Sequence, residues 1–214
     1  MIIINFKNYK IGKEALKLSR LIEKYLPDAI VAVSVTDIEK IVSKTRLKVY
    51  AQHVDYFEKR NTTGFVIPED VKDAGAVGTL LNHSEHQIRE ETIEKTIERC
   101  NEVGLRVLLC VDSVKRANLY KRFRPGAMAY EDRELIGTGK SITEYRKGEV
   151  KKFVTKMKYS KIKLLCGAGI NSAEDIREAY NLGCRGILIS SAIAKVPLKK
   201  AEKLLREICR LKQI

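Results

Sequence analysis

Eight short runs, nearly all apolar and rich in β-branched residues, recur along the chain: Ile2–Phe6, Ile30–Ser34, Leu47–Ala51, Ala76–Leu80, Arg106–Cys110, Ala127–Tyr130, Lys163–Cys166 and Gly186–Ile189. Runs this short and this apolar read as strands buried on both faces, which belong to parallel sheets. Helical periodicity lies between most of them. Lys13–Tyr25, Gln87–Cys100, Glu144–Lys156, Ala173–Tyr180 and Leu198–Leu211 repeat apolar residues at helical spacing, and Asn171-Ser172 offers N-cap residues before the fourth. Shorter, weaker helices follow Pro68 and Asp112. Strand–helix alternation leaves an open doubly wound sheet or a closed (β/α)8 barrel. Eight strands in 214 residues favour the barrel, near the small end of its size range, with shortened helices and loops. No linker or composition shift divides the chain, so residues 1–214 are expected to form one α/β domain.

The charge invites another reading. Forty-one Lys and Arg against 27 Asp and Glu leave a net +14, and strong basicity is the first footprint of a nucleic-acid binder. The cations are dispersed, however. The densest groups are Lys115–Arg124, Lys147–Lys163 and Lys195–Lys212, the last interleaved with Leu, Ile and Ala as on the solvated face of a helix. Aromatics fall mostly within strands and helices rather than along a basic stripe. No nucleic-acid partner is therefore expected. No apolar run approaches a membrane span, and the N-terminus lacks a signal-peptide pattern. Five scattered cysteines, none in a CxxC pair, read as reduced thiols in a cytoplasmic protein.

In a parallel barrel the chemistry sits where the strands end. Those positions hold Asn5 and Lys7 after the first run, Gln52, His53 and Asp55 after the third, and Asn82-His83-Ser84-Glu85 after the fourth. Asp112 follows the fifth and Glu131 the sixth, while Gly167-Ala168-Gly169 and Ser190-Ser191-Ala192 follow the last two. The two small-residue turns let backbone N–H groups approach a phosphate, at the strands where this fold repeatedly binds one. Taken singly, these residues leave alternatives open. A histidine at a strand–helix junction also serves to satisfy backbone groups, and Glu131 is one of three acids with Asp132 and Glu134. The stretch 131–141, with Leu135-Ile136 at its tip and Gly137-Thr138-Gly139 behind, reads as a lid that covers a site and expels water, or as a plain long connection.

Taken together, the motifs resemble the triosephosphate isomerase family in its compact archaeal-type form. Asn5-Phe6-Lys7, Asn82-His83-Ser84-Glu85, Ala129-Tyr130-Glu131 with Ile136-Gly137-Thr138-Gly139-Lys140, and Cys166-Gly167-Ala168-Gly169-Ile170 carry the likeness, in order, along essentially the whole chain. The resemblance implies a TIM barrel that interconverts dihydroxyacetone phosphate and glyceraldehyde 3-phosphate. It implies Glu131 as base, neutral His83 as electrophile beside a helix N-terminus, and Lys7 as cation held by Asn5, with Glu85 close to Lys7. Backbone N–H groups of Gly137, Gly169, Ser190 and Ser191 would hold the phosphate. No metal or cofactor is implied. It further implies a homo-oligomer, dimer or tetramer, in which Thr63 reaches Asn5 and Glu85 of a partner.

Two departures stand out. Asp132-Arg133 occupies the place where the family usually stiffens its lid hinge with proline, and Ser190-Ser191 replaces Gly-Gly. Competing readings are another phosphate-binding barrel enzyme, a basic nucleic-acid binder, and a catalytically silent barrel. The first has no need of the Asn-x-Lys and Asn-His-Ser-Glu pair, and the joint presence of Lys7, His83 and Glu131 argues against the last.

Overall fold

A computed structural model describes residues 1–60 and 62–211. Eight parallel strands close into a barrel in sequence order: β1 (Ile2–Asn5), β2 (Ile30–Val33), β3 (Lys48–Ala51), β4 (Gly78–Leu81), β5 (Arg106–Val111), β6 (Ala127–Glu131), β7 (Lys163–Gly167) and β8 (Gly186–Ile189). The last strand pairs with the first through Ile3↔Leu188 and its neighbours. The expected runs coincide with these strands to within two residues. The largest offset is at β4, where Ala76 lies outside the strand and Leu81 inside.

Each strand sends alternate residues to opposite faces, and both faces are apolar because both are covered. The outward set (Ile2, Ile4, Val31, Val49, Leu109, Met128, Ile187) packs under the helices, while Ile3, Tyr50, Leu80, Leu108, Ala129, Leu165 and Leu188 fill the barrel interior. Completely burying one such aliphatic side chain contributes roughly 1.5–3 kcal/mol. Tyr50 fits inside because its register partner on β4 is Gly78, where a Cβ would collide with the Tyr50 ring.

The helices are α1 (Gly12–Tyr25), α2 (Ile38–Val42), α3 (Pro68–Asp73), α4 (Glu90–Glu102), α5 (Val114–Tyr120), α6 (Ile142–Tyr145), α7 (Lys147–Met157), α8 (Ala173–Asn181), α9 (Ser191–Ala194) and α10 (Leu198–Leu211). Ser172 caps α8 in a reciprocal box with Asp175. In α10, Ala201, Leu204, Leu205 and Ile208 are buried, whereas Lys199, Lys200, Lys203, Arg206 and Arg210 are exposed. The basic stretch there is a solvated outer face; Lys212 lies outside the described residues. Two helical expectations need correction, and some short helices go unmarked in the sequence. The five-residue α2 has no periodicity long enough to mark it. The helix expected from Gln87 starts at Glu90, and the one expected over Glu144–Lys156 is broken at Arg146, whose φ of −135° and ψ of 30° leave the helical region. No described helix is long and apolar enough to cross a membrane.

Candidate active site

The alternation that fills the barrel also builds its mouth. On β1 the inward series Ile3, Asn5 continues to Lys7; on β6 the series Ala127, Ala129 ends at Glu131; on β8 Leu188 is followed by Ser190. Polar residues replace apolar ones where the barrel opens, so side chains from distant parts of the sequence converge. Lys7, His83, Glu131, Gly137, Gly169, Ser190 and Ser191 line one cavity of ≈ 160 Å³, with Ile136 as an apolar wall. Asn5 and Glu85 line it too. Of the site residues that the family resemblance implies, Thr63 stands apart. It is exposed on the β3–α3 loop and lines neither this cavity nor the neighbouring groove.

Lys7 sits in the left-handed region at φ 46°, an uncommon conformation for a residue with a side chain. Two bonds hold it there. Its N–H donates to Asn5 Oδ1 at 2.9 Å, and Gln52 Nε2 donates to its carbonyl at 2.9 Å. Gln52 was legible only as one strand-end residue among several; its grip on the Lys7 backbone appears only with β1 and β3 folded together. The Lys7 ammonium reaches Glu85 Oε1 at 2.9 Å.

His83 follows Asn82, itself left-handed at φ 58°. The Asn82 amide pins this turn, donating to the Cys110 carbonyl at 3.0 Å and accepting from the Ile88 N–H at 3.1 Å. The backbone N–H of Glu85 donates to His83 Nδ1 at 3.2 Å. Nδ1 is therefore an acceptor, and Nε2 carries the proton. Here the structure corrects an expectation. No helix begins beside His83, since α4 starts at Glu90. A single backbone donor, rather than a helix terminus, faces Nδ1. Nε2 approaches Glu131 Oε2 at 3.5 Å.

Glu131 is 7% exposed, and its Oε2 is buried without a hydrogen-bond partner. An orphaned carboxylate oxygen aimed into a cavity is costly as structure and apt as a proton acceptor. The Cys110 thiol on β5 lies close enough to Glu131 to feel its carboxylate. Burial first, and then the Glu131 carboxylate, push that thiol well above its ordinary pKa, so it stays protonated. Beside Glu131, its register partner Gly167 leaves the space the carboxylate occupies; a Cβ there would lie 3.1 Å from Glu131 Oε1 and 2.7 Å from the Leu188 carbonyl.

On the same cavity, Ser190 is the N-cap residue of the short helix α9, and its carbonyl takes the N–H groups of Ile193 and Ala194. First-turn N–H groups ahead of these have no intrahelical partner and face an anion well. The Ser190 hydroxyl is likewise buried without a partner. Gly169, at φ 67°, abuts the Lys140 carbonyl so closely that a Cβ would clash with it. The far end of the 131–141 stretch is tied down here: Asn171 Nδ2 donates to the Gly139 carbonyl at 2.6 Å and the Ile142 N–H to the Ala168 carbonyl at 3.2 Å. Among the described residues no cluster of His, Cys, Asp and Glu is arranged to hold a metal ion.

A family model for triosephosphate isomerase matches residues 1–209. This chain belongs to the triosephosphate isomerase family. Curated triosephosphate isomerases from archaea are similar to it along most of their length. The protein of Saccharolobus solfataricus is 37% identical, with 97% of this chain and 93% of that one covered. That of Methanocaldococcus jannaschii is 33% identical, with 98% and 99% covered. A crystal structure of triosephosphate isomerase from Bartonella henselae superposes with a TM-score of 0.74 over 100% of this chain and 98% of that one; at 18% identity it speaks for the fold alone. The family resemblance read from the motifs and the (β/α)8 architecture both hold.

Proposed function

We infer that this chain interconverts dihydroxyacetone phosphate and D-glyceraldehyde 3-phosphate, a step of glycolysis and gluconeogenesis, as one barrel domain in the cytoplasm. One observation carries the reading: an unpartnered Glu131 Oε2, a His83 Nε2–H donor and the Lys7 ammonium face one small cavity whose far wall is the turn pair at 169 and 190–191.

Glu131 Oε2 takes a proton from the carbon next to the carbonyl, and the electron pair moves onto the carbonyl oxygen to give an enediolate. His83 Nε2–H donates to that oxygen and passes protons between the two oxygens. Glu131 returns its proton to the neighbouring carbon. A neutral imidazole suits the role because protonating Nδ1 would set one N–H against the Glu85 N–H. This enzyme family is itself the type case of such tuning, though there a helix terminus is the agent. The Lys7 charge offsets the enediolate. Backbone N–H groups at Gly137, Gly169, Ser190 and Ser191 hold the phosphate dianion, and the lid, closing Ile136 over the site, excludes water. None of these steps calls for a metal or an organic cofactor.

The test is direct. Purified protein supplied with glyceraldehyde 3-phosphate in D2O is expected to form dihydroxyacetone phosphate carrying deuterium at the carbon that receives the proton. Absence of both product and exchange would overturn the assignment.

The groove beside the cavity, ≈ 660 Å³ and lined by Asn5, Lys7, Gln52, His53, Glu85 and His86, supports a homo-oligomer in which the β3–α3 loop of a second copy, with Thr63 at its tip, enters it. Tyr56 stacks on Phe57, which meets Phe65 at a tilt, and these ring contacts stiffen that loop; Phe65 is 45% exposed. Light scattering at micromolar concentration is expected to give a dimer or tetramer. Thr63→Arg is expected to shift it toward monomer and to lower kcat. A fully active monomer would refute this.

A further inference from the structure

The lid hinge departs from its family where the structure shows a connected set of charges. Asp132 begins the lid, with φ −72° and ψ 120°, and its Oδ1 accepts the Glu134 N–H at 2.9 Å, capping the 3-10 turn Arg133–Leu135. Its other oxygen, Oδ2, receives Arg146 Nε at 2.7 Å. The same guanidinium reaches Glu134 Oε2 at 2.6 Å. Arg146 is the residue that breaks the expected 144–156 helix, and its non-helical backbone lies between α6 and α7. On the other flank, Arg133 Nε meets Asp112 Oδ2 at 2.9 Å, and Asp112, at the end of β5, is also gripped by Arg116 at 2.8 Å and Gln87 at 3.3 Å. The Asp132 and Asp112 side chains are only 15% and 16% exposed. Both residues of the hinge dipeptide are thus ion-paired to separate parts of the barrel rim.

We propose that Asp132–Arg146–Glu134 and Arg133–Asp112 form an ionic clasp that stiffens the lid hinge, making these charges positioning residues for the isomerisation. Glu131 immediately precedes the clasp, so hinge rigidity fixes both the direction of the base and the closure of Ile136 and Gly137 over the phosphate. A proline would do this covalently by fixing φ near −65°. An ion pair does it reversibly, and salt weakens it: the screening length falls from about 8 Å at 0.15 M to about 3 Å at 1 M. Exposed pairs are individually weak, and Glu134 is 79% exposed; the other two acids, Asp132 and Asp112, are largely buried, and their pairs act on adjacent residues. The proposal rests on the isomerase reading.

Its readout is leakage. An enediolate exposed to water expels its phosphate, so inorganic phosphate released per isomerisation reports how well the lid holds. This ratio does not depend on encounter rate, so electrostatic steering by the net charge cannot mimic the effect. Parent, Asp132→Asn, Arg133→Gln and Asp132→Pro are compared at 0.05 and 1 M KCl. In the parent the ratio is expected to rise about threefold to fivefold with salt, the scale of losing one such pair. Asp132→Asn and Arg133→Gln start high and respond less. Asp132→Pro restores a low ratio that is flat in salt: the observed φ suits the ring, and Glu131 before it is already extended as that ring requires. A merely structural loss would not be rescued by removing the charge. If Asp132→Asn does not fold, the proline variant decides alone, since salt dependence like the parent's there overturns the clasp. A parent ratio insensitive to salt overturns it too. An inactive parent overturns the isomerase reading and the clasp with it, whereas an active parent with indistinguishable variants overturns only the clasp.

Discussion

Glu131→Gln is expected to lower kcat by about 10²–10⁴-fold, the contribution of a positioned general base. Glutamine keeps the length and the burial but carries no basic oxygen where Oε2 now stands free. Glu131→Asp keeps the charge and withdraws it by one methylene, and a fall of two or more decades is expected there as well, because proton transfer tolerates little misplacement. Inhibition by inorganic phosphate should be retained in both, since the phosphate turns come from other strands. Steady-state kinetics with a coupled assay measures the fall, and phosphate inhibition measures the retained binding. An unchanged rate in either variant would remove Glu131 from the role. Loss of phosphate inhibition together with the rate would mean the substitution had disturbed the whole site.

Gly167→Ala is expected to cost about 10²-fold in kcat without removing any functional group. The added Cβ would lie 3.3 Å from Glu131 Cγ, 3.1 Å from its Oε1 and 2.7 Å from the Leu188 carbonyl. The last contact involves backbone, so β7 or β8 must shift, and Glu131 is displaced from the cavity side. A displacement on the order of 1 Å is enough for this loss. Overpacking of this kind costs about 1–3 kcal/mol in stability, which a denaturant midpoint reports separately. A variant with full activity would show that the base does not need the space Gly167 provides. Combining Gly167→Ala with Glu131→Gln should cost less than the product of the two, because both act through the same carboxylate.

Part of this was readable in the chain. The strands announced themselves because a parallel strand covered on both faces must be apolar throughout, and the count of eight in 214 residues favoured a closed barrel over the open sheet that alternation alone also allows. Lys7, His83, Glu131 and the two small-residue turns were legible because a barrel's chemistry lies just past the strand ends. Helices were less legible. Five residues of α2 are too few for periodicity, and the break at Arg146 sits within a periodic pattern that an unbroken helix would also satisfy.

What the sequence by itself determined was the set of residues at the barrel mouth, because local periodicity fixes which positions end a strand and which face inward. What only the tertiary structure decided was how those residues are held. Gln52 on the Lys7 backbone, the Glu85 N–H on His83 Nδ1, Cys110 beneath Glu131, the emptiness at Gly167 and the charges around Asp132 all join groups whose meeting no local pattern specifies. Such contacts depend on strand register and on where each loop turns, and those are settled only when eight strands close on one another and the shared core fixes their offsets.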